Sequence, residues 1–291
     1  MEFVEEGHPL YGIHACGLDS EAELPGSMAE AAAGYIDLID NATDRPPIVI
    51  GHCFGGAVAY EIVRQLESRS RRGLAVLIDI PAPQDGLSVF EQDEAKVFLS
   101  FISILSSFLG INIFLEYCRI RGLDYYRDKN LRIIREDVES ISEKERLETF
   151  MKILPVVPIP SQSEYQKNPE YIKRMFYVFK NNVFRMGVGY RPLKYGGETL
   201  VITAEDGSHR AEISEFGWKR EYDMNQREAI AELLKNPAFG WEKYCVAVKT
   251  DTSPGDHNGM LQPPNSKVLA GKIKSWIRAT PKADNSVRQN S

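Results

Sequence analysis

Residues 46–67 read PPIVIGHCFGGAVAYEIVRQLE, and this stretch decides the fold. Ile48-Val49-Ile50 is a short β-branched run of the kind that makes a buried strand. Gly51-His52-Cys53-Phe54-Gly55 follows. Ala59, Ile62, Val63 and Leu66 then recur at i, i+3, i+4 and i+7, which gives a helix one apolar face. Strand, G-x-C-x-G, helix is the context of a nucleophile elbow. Gly51 and Gly55 are expected to let the chain turn sharply without Cβ clashes. The central residue is then forced out at the tip, over a helix N-terminus with its N–H groups and positive dipole end. A helix N-terminus favours thiolate over thiol and stabilises an oxyanion. Serine is the usual residue at this point; here it is Cys53, the candidate nucleophile. His52, its neighbour on the elbow, is expected to point elsewhere and to pack or hydrogen-bond.

Working outward, the 291 residues are 43% hydrophobic and 26% charged, enough for one sizeable domain or a core domain with a large insertion. A net charge of −6 argues against a nucleic-acid partner. Cys16, Cys53, Cys118 and Cys245 show no CxxC or CxxH spacing, against both a structural zinc site and a disulfide framework. A reducing, cytoplasmic setting is the natural expectation. The opening Met1-Glu2-Phe3-Val4-Glu5-Glu6 is acidic and lacks the apolar core of a signal peptide. Residues 97–115, VFLSFISILSSFLGINIFL, carry no charge and are nearly long enough to span a bilayer. Their Ser, Asn and Gly content weakens that reading. A span here would also separate Cys53 from everything after it, so no membrane is expected.

Leu10-Tyr11-Gly12-Ile13 reads as a short strand. Ser27 is placed to cap a helix to about Asp40 with Met28, Ala32, Tyr35, Ile36 and Ile39 inward. Arg69 to Arg72 reads as the solvated end of the elbow helix. Leu74 to Ile78 is a continuous apolar run, hence a buried parallel strand, ending in Asp79. From about 84 to 191 the pattern is helical without strands. The helix from Glu94 to Leu109 has Phe98, Phe101, Ile102, Leu105 and Leu109 on one face and Leu99 and Ile104 on the other, so it is buried or lines an apolar cavity. Arg119 to Arg135 is basic, Pro155, Pro158 and Pro160 break the chain, and Glu170 to Val183 is helical again. Strand pattern returns at Glu198 to Ala204 and Tyr244 to Lys249, with helices near 225–234 and 266–277. Residues 280–291 are polar and expected to be disordered. Strands alternating with helices mean a mostly parallel α/β sheet. Ligands in such sheets bind at strand C-terminal ends, where the helical insertion is placed to act as a lid.

A thiolate nucleophile needs a base within reach and a carboxylate to orient it. His257 lies in a loop between the last core strand and the last helix, giving the order Cys, acid, His. His14 is the next candidate; His8 and His209 lie in polar or terminal segments. For the acid, Asp79 ends the strand after the elbow helix, and Glu205 and Asp206 end the next. Position alone leaves these open.

Several stretches resemble the thioesterase domains of non-ribosomal peptide and polyketide synthases, which have an α/β-hydrolase fold. They are Tyr11-Gly12 through Gly17-Leu18-Asp19, GHCFGGAVAYEIVRQL from Gly51, and VLIDIPAP from Val76. Tyr190, Pro192, Tyr195 and Gly197, then Gly240-Trp241-Glu242, and PGDHNGML with Pro263-Pro264 continue the likeness. The resemblance covers nearly the whole chain, with the lid divergent, and implies one domain over 1–279 with a lid insertion at about 84–191. It implies that Asp79 is the acid, that Glu205 and Asp206 are loop residues, and that Phe54 N–H is an oxyanion donor. It implies an acyl or peptidyl carrier protein as partner, its phosphopantetheine bringing the substrate, and no other cofactor. The expected activity is release of that chain through an acyl-Cys intermediate, by hydrolysis or cyclisation. Two departures stand out. Cys53 replaces serine, and an acyl thioester stays energised for transfer to an internal amine or hydroxyl. The family's earlier strand and glycine-rich oxyanion loop have no counterpart before Tyr11, so the fold is expected to lack its first strand or strands. A polyhydroxyalkanoate synthase, whose acid lies far beyond the elbow, and a weakened hydrolase-fold binding module are the alternative readings.

Overall fold

The computed structural model describes residues 9–18, 23–83, 93–109, 112–124, 132–153, 168–206 and 224–280. Four strands form a parallel sheet in the order β1 (Ile48–His52), β2 (Leu74–Ile78), β3 (Tyr195–Ala204), β4 (Cys245–Ser253). Strands added in one direction by right-handed crossovers put their connecting helices on one face. Accordingly α2 (Phe54–Ser68) supplies Ala57, Ala59, Tyr60 and Val63 to a core shared with Ala75, Leu77 and Val201, and Leu234 of α8 (Met224–Lys235) packs against it. The opposite face is covered by Leu269, Ile273 and Trp276 of α9 (Asn265–Ala279), packed on Val76, Ile78, Leu200 and Ile202. β2 is the most enclosed strand, as its unbroken apolar run requires.

α1 (Met28–Ala42) begins where Ser27 Oγ accepts from Glu30 N at 3.1 Å. It packs Ala32, Ile36 and Ile39 on Ile62 and Leu66 of α2. Between β2 and β3 come α3 (Glu94–Leu109), α4 (Ile113–Arg121), α5 (Arg132–Ser140), α6 (Glu143–Ile153) and α7 (Pro169–Lys180), continued by a π-helical turn, Asn181–Gly187. These helices share their own core, in which Phe98, Phe101, Phe114, Phe150 and Phe176 are buried. Val97, Phe98 and Leu99 are consecutive and all fully buried, so α3 is enclosed on more than one side. The uncharged run at 97–115 is divided between α3 and α4, with Asn112 capping the second helix. No helix among the described residues is long and apolar enough to cross a membrane.

Two local expectations are corrected. Leu10 to Ile13 forms no strand, and Tyr11 is 59% exposed. A short apolar run becomes a strand only with a hydrogen-bonding neighbour, and none pairs with it among the described residues. Thr280, expected to open the disordered tail, instead closes α9 through its N–H and Oγ1, both bonded to Trp276 O at 2.9 Å. Residues 281–291, Pro155, Pro158 and Pro160, His8 and His209, and part of the basic 119–135 segment lie outside the described residues.

Candidate active site

Cys53 and Asp79 directly follow the C-terminal ends of β1 and β2, and His257 lies in the loop after β4, so the three converge at one edge of the sheet. Cys53 separates β1 from α2, with φ 53° and ψ −132°. This is the left-handed side of the map, costly for a residue with a Cβ and held only because both flanking elements are packed. Its N–H donates to Ile78 O at 3.0 Å and its C=O accepts from Gly56 N at 2.8 Å. Phe54 is the first residue of α2.

The glycines of the elbow divide differently from expectation. Gly51 is required, because a Cβ there would run into the Gly55 backbone. Gly55 faces open space. The second tight position is Gly56, where a Cβ would lie 2.6 Å from Ile80 Cγ2. What Gly56 permits is close seating of α2 on the segment after β2, not the turn itself.

Asp79 also has a positive φ, 48°, and is completely buried. Its Oδ1 accepts from Ala204 N at 2.9 Å and its Oδ2 meets His257 Nδ1 at 2.7 Å. A carboxylate can only accept, so Nδ1 carries the proton and Nε2 is the basic nitrogen. The chain beyond Asp79 is tied down by residues of the motif stretches. Trp241 Nε1 donates to Ile80 O at 2.8 Å, Ala82 N to Phe239 O at 2.8 Å, and Tyr244 OH to Pro83 O at 2.9 Å.

Glu205 and Asp206 do not join His257. Glu205 Oε1 accepts from Thr252 Oγ1 at 2.7 Å and Asp206 Oδ2 from Gly255 N at 3.1 Å, so both brace the turn that leads to it. Gly255 needs its freedom at φ 96°, because a Cβ would lie 2.7 Å from Met260 N. Asp256 Oδ1 then accepts from Gly259 N at 2.6 Å and Asn258 N at 3.2 Å, closing a tight loop around His257. His14 is exposed in the 9–18 segment.

Cys53 and His257 line one large cavity of about 2930 Å³ that follows β1, with Ile104 of α3, Phe179 of α7 and Asn182 and Met186 of the π-helical turn on its wall. Cys118 and Cys245 are ordinary core thiols. Burial pushes Cys118 up to about 11, helped by Asp137, and burial likewise carries Cys245 to about 11. The arginines at the two ends of the basic lid segment are already engaged, Arg121 with Asp137 at 2.8 Å and Arg135 with Glu139 at 2.6 Å.

His52, expected to pack or hydrogen-bond, meets the backbone of His257; sequence reasoning passed over Glu61. Glu61 is buried on α2, held by Arg64 (2.9 and 2.6 Å), Gln65 (2.9 Å) and Tyr190 OH (3.0 Å). Glu61 lies on the side of α2 opposite Ala59, Ile62, Val63 and Leu66, so the helical period gave no signal of its burial.

Residues 7–97 match the thioesterase-domain family. The chain is 30% identical over 105 residues to malpinin synthetase of Mortierella alpina, covering 35% of this chain and 1% of that protein. It is 38% identical over 61 residues to the thioesterase frbE of Dothideomycetidae sp. (strain 11243), covering 21% and 24%. The chain thus spans well under two thirds of the length of these relatives. In three dimensions it is similar to a four-domain nonribosomal peptide synthetase bound to AMP and glycine, with TM-score 0.63 and 20% identity, over 92% of this chain and 17% of that one. The Vlm2 thioesterase domain superposes with TM-score 0.51 and 17% identity, over 89% and 80%. Residues 7–97, the elbow included, are thus similar to the thioesterase-domain family, and the chain shares the α/β-hydrolase fold of these solved structures.

Proposed function

We propose that this chain is a thioesterase that takes an acyl or peptidyl chain from the phosphopantetheine arm of a carrier protein onto Cys53 and releases it by hydrolysis or intramolecular cyclisation. The observation that carries the reading is the 2.7 Å contact of buried Asp79 with His257 Nδ1, beside a cysteine at the tip of an elbow. That contact leaves Nε2 basic and directs the imidazole toward proton transfer. The partial likeness to malpinin synthetase and to the thioesterase frbE supports a carrier-bound substrate.

In this mechanism His257 Nε2 takes the proton from Cys53 Sγ. The thiolate adds to the thioester carbonyl, and the N–H of Phe54, at the head of α2, holds the oxyanion. The bond to the carrier's sulfur breaks, and that sulfur leaves with the proton from His257. His257 then removes a proton from water or from an amine or hydroxyl of the acyl chain, which attacks; the bond to Cys53 breaks and the thiol is restored. The apolar wall of Ile104, Phe179 and Met186 suits a chain with substantial apolar surface. A polyhydroxyalkanoate synthase would draw its acid from far beyond the elbow, whereas Asp79, at the end of the next strand, is bonded to His257 here.

The test is intact-protein mass spectrometry after mixing with a small acyl thioester. The expected result is one acyl adduct on the parent protein, none on Cys53→Ala and less on His257→Ala. An adduct that persists in Cys53→Ala, or no adduct on the parent, overturns the reading; the second outcome leaves a binding module.

A further inference from the structure

Side chains alternate along a strand, so His52 falls in phase with Ile48 and Ile50 and not with Val49. Ile48 and Ile50 face the layer containing Met260, Leu261 and α9. That layer begins with the loop carrying His257. His52 Nε2 lies 2.8 Å from the backbone oxygen of His257, and the two rings lie 4.4 Å apart at an angle of 36°. A carbonyl can only accept, so His52 donates from Nε2.

We propose that His52 is a positioning residue for the acyl-transfer reaction, latching the main chain of the base to the residue next to the nucleophile. The inference rests on the thioesterase reading above and adds to it. Asp79 holds the ring of His257 through Nδ1, and His52 holds the backbone of the same residue, so side chain and main chain of the base are both tied down. Because His52 is covalently joined to Cys53, any shift of the elbow carries the base loop with it. The Cys53–His257 geometry is thus kept by a path two residues long, not by the sheet as a whole. The tilted His52 ring also lies against the His257 imidazole on one side, while Asp79 meets it on another. His52 does no proton transfer in this scheme; its contribution is orientation. Misplacement of a reacting group by about 1 Å costs on the order of 10²-fold in rate.

The experiment compares His52→Leu, which lacks the donor, with His52→Gln, whose amide nitrogen reaches close to the position of Nε2. His52→Phe, which keeps a ring but no donor, guards against misfolding of the leucine variant. Acylation of Cys53 by a small acyl thioester is followed by mass spectrometry, with thermal melts as the fold control. The expected result is a fall of about 10²-fold in the rate constant for His52→Leu and His52→Phe, with the concentration for half-saturation unchanged. His52→Gln is expected to recover most of it. A second readout needs no thioester: the profile of Cys53 alkylation by iodoacetamide against pH should change in the donorless variants only and be restored in His52→Gln. Parent-like rates in a folded His52→Leu or His52→Phe overturn the latch, as does equal loss in His52→Gln. If the parent is never acylated but the alkylation profile still moves in the donorless variants, the latch stands and the thioesterase reading fails. If the parent is acylated and neither readout moves, only the latch fails.

Discussion

A buried carboxylate is tolerated only when its oxygens are engaged. Asp79 meets that condition with Ala204 N on one oxygen and His257 Nδ1 on the other. The aspartate thus joins the ends of three strands, β2 through its own backbone, β3 through Ala204 and the loop after β4 through His257. Asp79→Asn keeps the shape but places an N–H₂ where an acceptor was required, or turns the His257 ring to the wrong tautomer. The expected loss in Cys53 acylation is about 10²–10⁴-fold, read from single-turnover rates. Parent-like rates would instead favour an enzyme whose acid lies far beyond the elbow.

At the scale of the element, α2 carries both the elbow and a buried ion pair. Gly55 and Gly56 look alike in sequence but differ in surroundings. Gly56→Ala forces a methyl against Ile80 and should cost about 1–3 kcal/mol. Gly55→Ala has open space and should be neutral or stabilise the helix by up to about 1 kcal/mol. Urea midpoints of the two variants decide this, and equal midpoints would refute it. One turn further on, burial pushes the Glu61 carboxyl up, but the bonds from Arg64, Gln65 and Tyr190 outweigh burial and hold it below the ordinary range. A carboxylate with a lower pKa folded than unfolded binds fewer protons in the native state. Its stabilisation is therefore complete above the unfolded value of about 4.3 and lost as pH falls through the folded value. The parent should lose stability more steeply than Glu61→Gln as pH drops below about 4.3. Urea titrations on both sides of that pH give the slopes, and parallel slopes would contradict the assignment.

At the scale of the molecule, there are two kinds of core. The sheet and its flanking α1, α2 and α9 carry the candidate residues, while α3 to α7 bury a separate aromatic cluster. Phe176 sits at its centre, with ring centroids 5.7 Å from Phe98 and 5.4 Å from Phe101. Phe176→Ala should destabilise this unit by about 3–5 kcal/mol. Because the cluster is built from α3 to α7 alone, faster amide exchange should be confined to those helices. Hydrogen-exchange mass spectrometry checks this; equal acceleration in β1 to β4 would show that the two units open together.

The sequence by itself determined the strand-elbow-helix unit, the parallel α/β class, the capped α1 and the buried α3. Each rests on local periodicity and turn chemistry, which a linear chain displays. It also singled out Cys53 and His257, because a nucleophile on an elbow and a histidine in a loop after the last strand are positional signals. Position alone left Asp79, Glu205 and Asp206 open and the family resemblance pointed to Asp79; the tertiary structure puts Asp79 against His257, since strand-terminal carboxylates look alike until the sheet order brings one to the ring. It also moved the second tight glycine from Gly55 to Gly56, left Leu10 to Ile13 without strand pairing, and brought His52 onto a residue 205 positions away. These are contacts between segments distant in the chain, and neither residue type nor spacing carries information about a partner that only packing supplies.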